Sequence, residues 1–211
     1  MLWQIVVATV IGYSLGSVPG GYLMGRLTRR IDIRDYGSGK TGATNALRSL
    51  SIWAVVGVLV IDLGKGAAAV SIARALSDSA WPQAFAALGV LVGHVWPVWL
   101  GFRGGRGVSA AYGALLGMNP LVALALLPVA LVIIGTTRYV SLMSVSMAPI
   151  AAAAFLALAA AGLLPFAYAA FAIAAAALIV ALHHDNIRRL LSGAERKIGQ
   201  KERVTQQTGG R

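Results

Sequence analysis

The sequence predicts an all-α integral membrane protein of about seven helices, two of them short, with the N-terminus outside and the C-terminus cytoplasmic. Three observations carry this. Apolar runs of about 20 residues, the length that spans a hydrocarbon core, recur along most of the chain. Charged residues make up 12% of the whole against 58% hydrophobic, too few to cover a globule in water. The basic residues gather in short polar strings between the apolar runs, where Lys and Arg hold loops on the cytoplasmic side.

Residues 2–24 start without a basic leader and run straight into GYLMGRL, so they read as a retained helix rather than a cleaved signal. The loop at 26–48 carries Arg26, Arg29, Arg30, Arg34, Lys40 and Arg48 and belongs inside. The runs at 52–75 and 81–101 make a hairpin through an outer turn near Ser77 to Ala80, and Arg103 and Arg106 bring the chain back inside. The stretch 108–135 is interrupted by Asn119 and Pro120, and a proline that removes a backbone donor favours a turn. A single crossing there would leave the C-terminal cluster of Arg188, Arg189, Arg196, Lys197, Lys201 and Arg203 outside. Two short helices, 108–118 and 120–135, that return to the cytoplasmic side restore the parity and bring Arg138, Ser141 and Ser144 inside. Backbone that does not cross fully is tolerated only where protein buries it or it lines a cavity, so this pair is expected to wall a site. The runs at 139–161 and 166–183 complete the set, with Ala-rich stretches at 151–161 and 167–177 offering small faces for close packing. One domain is expected over 1–197, followed by a disordered polar tail at 198–211.

A net charge of +11 raises the possibility of nucleic acid, but basic residues in short loops between spans serve topology, and no nucleic-acid partner is expected. With no cysteine, disulfides, thiolate metal sites and a Cys nucleophile are excluded. The chain has three His in all. His183 and His184 lie on different helical faces with few carboxylates nearby, so no metal and no cofactor are expected.

Three polar strings hold the useful chemistry. GSGKTGATN at Gly37 to Asn45 invites comparison with a phosphate-cradling P-loop, but that motif needs a Gly where this chain has Arg34. What survives is an anion site: Gly37, Gly39 and Gly42 let backbone N–H groups converge, Ser38, Thr41 and Thr44 add hydroxyls, Asn45 opens a helix, and Lys40 and Arg48 flank it. The plainer alternative is a flexible loop with an N-cap. GHVWPVWLGFRGGRG at Gly93 to Gly107 places His94 near the interface, with Trp96 and Trp99 as belt residues. Arg103 and Arg106, separated by Gly104 and Gly105, present guanidinium forks suited to phosphate, with positive-inside anchoring as the plain alternative. HHDNIRRLLSGAERK at His183 to Lys197 puts His183 and Asn186 one turn apart, with Arg188 or Arg189 continuing the face. Asp62 and Lys65, inside an apolar helix at i, i+3, form a structural ion pair or bring Lys65 to the site from beneath.

Together with SVPGGYLMGRL and DLGKG, these strings closely resemble, in order across residues 14–197, the bacterial acyl-phosphate:glycerol-3-phosphate acyltransferase family known as PlsY. The resemblance implies an enzyme of the bacterial cytoplasmic (inner) membrane, multi-pass, with its site facing the cytoplasm. It would transfer a fatty acyl group from acyl phosphate to the 1-hydroxyl of sn-glycerol 3-phosphate, giving lysophosphatidic acid and phosphate. It carries roles onto Ser38, Thr44, Asn45 and Arg48, onto His94, Arg103 and Arg106, onto Ser144, and onto His183 and Asn186. The resulting expectation is that His183, Asn186, Ser38 and Asn45 act in the chemical step. Gly37, Gly39, Thr41, Thr44, Arg48, Lys65, His94, Arg103, Gly104, Gly105, Arg106, Ser144 and Arg189 are expected to bind substrate. The partners are then acyl phosphate, glycerol 3-phosphate and the lipid bilayer, and the protein is expected to be a monomer. Both substrates bear phosphate, which suits cationic loops, while an acyl tail needs a greasy groove. No His is followed five positions later by Asp, since Trp99, Arg188 and Arg189 stand there, which leaves the donor's own phosphate or His183 to take the hydroxyl proton. A small organic-phosphate transporter or channel is the alternative. The short, ligand-poor outer loops near 77–80 and 162–165 favour the enzyme.

Overall fold

The computed structural model describes residues 1–200; most of the polar tail expected at 198–211 lies outside the described residues. The described part is all helical. Five stretches are long and apolar enough to cross a membrane, and the last two helices, bent by 60°, make a sixth if counted as one.

The first predicted helix is broken. α1 (Leu2–Gly16) stops at Ser17 and α2 (Gly20–Arg29) restarts after Pro19. Proline lacks an amide donor and drives the residue before it out of the helical region, so the Val18 carbonyl is left without an intrahelical partner and turns to a side chain of another helix. α2 ends at Arg30, whose left-handed backbone (φ 58°) lets its N–H reach Arg26 O. A turn of 3₁₀ helix at Ile33–Asp35 and the seven-residue α3 (Ala43–Ser49) lie within the first basic loop. α4 (Ile52–Leu76) begins at an N-cap Ser51 that accepts from the Ala54 amide. α5 (Ala80–Val95) stops six residues short of the predicted end, because Pro97 cannot continue the helix, and a 3₁₀ turn at Val98–Leu100 follows.

α6 (Val108–Met118) and α7 (Pro120–Thr137) meet where Asn119 caps the new helix by accepting from the Val122 amide at 3.0 Å, with Pro120 at its first position. The pair does return to the end where it began: Arg106 before it and Ser141 after it line the same cavity. Of this pair only α6 is short, however. α7 runs for 18 residues and is itself long enough to cross, so the expectation that 120–135 is a short helix is corrected. Arg74 of α4 caps the far end of α6 by donating to the Gly117 carbonyl at 2.7 Å. α8 (Val140–Ala160), α9 (Phe166–Leu182) and the short α10 (His184–Leu191) complete the chain.

Packing follows the small residues. α1 lies along α5, α4 along α6, and α8 along α9. A Cβ built on Gly113 of α6 would stand 2.2 Å from the Leu63 carbonyl of α4, so these backbones are in contact with no room for a methyl group. The main core joins Leu91 and Val95 of α5, Ala114 and Leu115 of α6, Phe155 of α8, and Tyr168 and Phe171 of α9, with Ala151, Ala152, Ala172 and Ala175 letting α8 and α9 close on it. The predicted Ala-rich faces are thus used as expected.

Candidate active site

The three polar strings converge at one end of the bundle around a cavity of about 720 Å³. In the first string Asn45 does the organising. Its amide Nδ2 donates to the carbonyls of Ile33, Tyr36 and Lys40 at 2.9 to 3.0 Å, and its Oδ1 accepts from the Ser38 amide at 2.9 Å. Gly37 (φ 58°) passes so close that a Cβ there would lie 2.2 Å from Asn45 Oδ1, which demands glycine. The loop so folded puts Gly37, Ser38, Thr44 and Arg48 on the cavity wall. Arg34 pairs with Asp32 at 2.7 Å and donates to the Leu100 carbonyl at 3.0 Å, which joins the turn before the first string to the second string. The hydrogen bond from Arg34 holds the Asp32 carboxyl below its ordinary range.

The second string doubles back over the end of α5: Gly104 N donates to Val95 O and Gly105 N to His94 O, each at 3.1 Å. Arg106 follows, lines the cavity, and donates from Nε to the Leu182 carbonyl at 3.2 Å. Burial pushes its guanidinium below the ordinary value, and the charges of Arg189 and Arg48 push the same way against the pull of Glu195. In the third string His183 Nδ1 lies 2.7 Å from the Ile179 carbonyl. A carbonyl only accepts, so Nδ1 carries the proton and Nε2 is the nitrogen left for a ligand. Asn186 donates from Nδ2 to Glu195 Oε1, and Arg189 from Nε to Glu195 Oε2, both at 2.7 Å. Asn186 Oδ1 is buried and has no partner among the described residues, an acceptor that a hydroxyl would satisfy. Ser144 lines the wall and donates back to Val140 O at 2.9 Å.

Of the predicted residues, the structure therefore brings together Gly37, Ser38, Thr44, Arg48, Arg106, Ser144, His183, Asn186 and Arg189. The others stand elsewhere. Asn45, expected in the chemical step, is 1% exposed with its amide committed to the loop backbone, which makes it the loop's builder. Thr41 is buried, its carbonyl against Gly21 of α2, and Gly39 is exposed on the outside of the turn. Arg103 is exposed, and Gly104 and Gly105 are buried beneath the loop. Lys65 and His94 lie off the cavity wall in a buried cluster with Asp62, Lys65 Nζ standing 2.9 Å from both Asp62 Oδ1 and His94 Nδ1.

Glu195 was not among the expected residues, although an acid beside the basic end of the third string, just after a helix-ending Gly193 (φ 70°), was a signal. Burial raises its carboxyl, but the hydrogen bonds from Asn186 and Arg189 prevail and hold it below 4.5; the Ser141 hydroxyl, alongside without closing a bond of ordinary geometry, adds to this. The segment after it also closes one side of the cavity, where Ile198 N donates to Arg138 O at 2.9 Å. Among the described residues six cationic side chains line the cavity, Arg29, Arg48, Arg106, Arg189, Arg196 and Lys197, against the single carboxylate of Glu195. Among the described residues no three His, Cys, Asp or Glu side chains gather as metal ligands. Such a cavity suits an anionic ligand.

The chain matches the family model described as glycerol-3-phosphate acyltransferase over residues 6–193. It is 44% identical over 191 residues to a glycerol-3-phosphate acyltransferase of Parasynechococcus marenigrum strain WH8102, covering 90% of this chain and 88% of that one. It is 42% identical over 204 residues to one from Gloeobacter violaceus, covering 94% and 98%. Among solved structures it resembles the crystal structures of PlsY, an integral membrane glycerol 3-phosphate acyltransferase, in two forms. The glycerol 3-phosphate form superposes with a TM-score of 0.83 at 37% identity, covering 92% of this chain and 96% of that one. The lysophosphatidic acid form gives 0.81 at 36%, covering 92% and 94%.

Proposed function

This chain belongs to the glycerol-3-phosphate acyltransferase family, and on that footing we propose that it moves a fatty acyl group from acyl phosphate to the 1-hydroxyl of sn-glycerol 3-phosphate. The products are lysophosphatidic acid and inorganic phosphate. The observation that carries this reading is the cavity itself: six cations and one acid, fed by all three strings, with Ile31, Leu47, Val140 and Ile198 supplying apolar wall. Two phosphate groups and an acyl tail fit that lining.

In the proposed reaction the acceptor hydroxyl oxygen attacks the acyl carbonyl carbon, the bond from that carbon to the phosphate oxygen breaks, and the departing phosphate takes the hydroxyl proton. Because acyl phosphate is already activated, positioning and electrostatic stabilisation carry the catalysis. Arg106, Arg48 and Arg189 bind phosphate. His183 Nε2, Asn186 Oδ1 and Ser38 orient the acceptor hydroxyl. The site faces the cytoplasm of a bacterial inner membrane, with the N-terminus outside, since the basic loops gather at the cavity end.

The test is the purified protein in lipid with acyl phosphate and glycerol 3-phosphate, measuring phosphate release and lysophosphatidic acid together. Stoichiometric formation of both is expected. Acyl-CoA or acyl carrier protein serving equally well would overturn the donor assignment.

A further inference from the structure

Asp62, Lys65 and His94 form a buried cluster, none of which lines the cavity. Their side chains are 4% exposed or less. Charges inside an apolar span cost about 2.5 to 3.5 kcal/mol each on insertion scales, so a pair kept there calls for a use. An ion pair between residues one turn apart on α4 ties α4 to nothing but itself.

Lys65 does reach outward. Besides Asp62, its Nζ donates to the Val18 carbonyl in the break between α1 and α2 at 2.9 Å, and it lies 2.9 Å from His94 Nδ1 on α5. An ammonium has N–H groups and no lone pair, so with Lys65 charged the ring nitrogen facing it, His94 Nδ1, accepts; the Asp62 carboxylate, 2.9 Å from Nζ as an ion pair and 3.5 Å from His94 Nδ1, closes no hydrogen bond of ordinary geometry. The proton of a neutral His94 ring then sits on Nε2. That nitrogen faces Gly105, where a Cβ would stand 2.2 Å away, and a Cβ on Gly104 would stand 2.1 Å from the His94 carbonyl. The same carbonyl accepts from the Gly105 amide at 3.1 Å. The residue whose ring Lys65 orients is thus the residue on which the Gly104–Gly105 turn rests, and Arg106 is next in the chain.

We propose that Lys65, held by Asp62, is a positioning residue for the reaction: it sets the ring of His94, His94 sets the Gly104–Gly105 turn, and the turn aims Arg106 into the cavity. This rests on the function proposed above and adds to it a use for the DLGKG motif. Lys65 acts through the turn and touches no substrate.

Hydrogen exchange and kinetics test it together on the full-length protein in lipid. Asp62→Asn with Lys65→Met removes both charges, so no lone charge is left buried. Its melting temperature should stay close to that of the wild type, while the Gly104 and Gly105 amides exchange about tenfold faster or more. The KM for glycerol 3-phosphate should rise about tenfold with a smaller change in kcat. In an Arg106→Ala background the same pair should add less than about twofold to KM, because the two routes are one. His94→Leu, which leaves the Asp62–Lys65 pair in place, should give the same pattern and serves if the first variant does not fold. Unchanged exchange at the two amides would overturn the proposal, as would a full tenfold effect persisting in Arg106→Ala. Exchange needs no turnover, so a wild type without acyltransferase activity would refute the function and leave the coupling to be judged separately.

Discussion

Arg106 sits where burial and the charges of Arg48 and Arg189 all oppose its own charge, so it has most to gain from a bound phosphate. Removing it with Arg106→Ala should raise the KM for glycerol 3-phosphate about tenfold to a hundredfold. kcat should change less, because a fork to phosphate is present in both ground and transition states. Steady-state kinetics on folded, inserted protein checks this, and unchanged constants would return Arg106 to a topological anchor. Glu195 makes a different demand. Its carboxyl is held below 4.5 in the folded state, so its contribution to stability is complete above that value and is lost as pH falls through the lower, folded one. Thermal melts from pH 6 down to about pH 3 should show a loss that Glu195→Gln lacks. The same variant should lower kcat about tenfold, because the amide keeps one acceptor oxygen and turns a donor NH2 toward the other of Asn186 and Arg189. A melt profile shared with the wild type would mean that the pairing contributes nothing.

At the scale of helices, the closeness of α4 and α6 decides where Arg106 can stand, since α6 begins directly after the second string. The two backbones meet at Gly113 and Leu63 with no space for a methyl group. Gly113→Ala should therefore push α6 away and destabilise the protein by about 1 to 3 kcal/mol, read as a lower melting temperature in detergent. Gly135 in α7, where a Cβ meets nothing within 4 Å, is the control: Gly135→Ala should be neutral or slightly stabilising. Equal effects of the two would show that the α4–α6 contact is not the tight one.

For the molecule as a whole, sidedness is the open quantity, and a chain without cysteine makes it easy to read. Exposed positions Lys40 and Ser192 lie in the first and third strings, and exposed Asp78 in the turn between α4 and α5. Single cysteines at 40 and 192 should react with an impermeant maleimide only from the cytoplasmic side, and one at 78 only from outside. Labelling of 192 from outside would overturn the proposed topology. What the chain determined by itself is the membrane class, the order of the apolar runs, the return of α6 and α7, and the three strings. Those are readable because hydrophobic length, a proline break and the placement of Lys and Arg are local along the chain. The tertiary structure alone decided which polar residues face the cavity. Asn45 and His94 carry the same chemistry as Asn186 and His183, yet packing spends the first pair on loop backbone and a buried cluster and leaves the second pair on the wall. The partners that make this choice, Ile33 for Asn45, Lys65 for His94, Glu195 for Asn186, are brought near by the folding of the chain, and no spacing in one string records what another string will place against it.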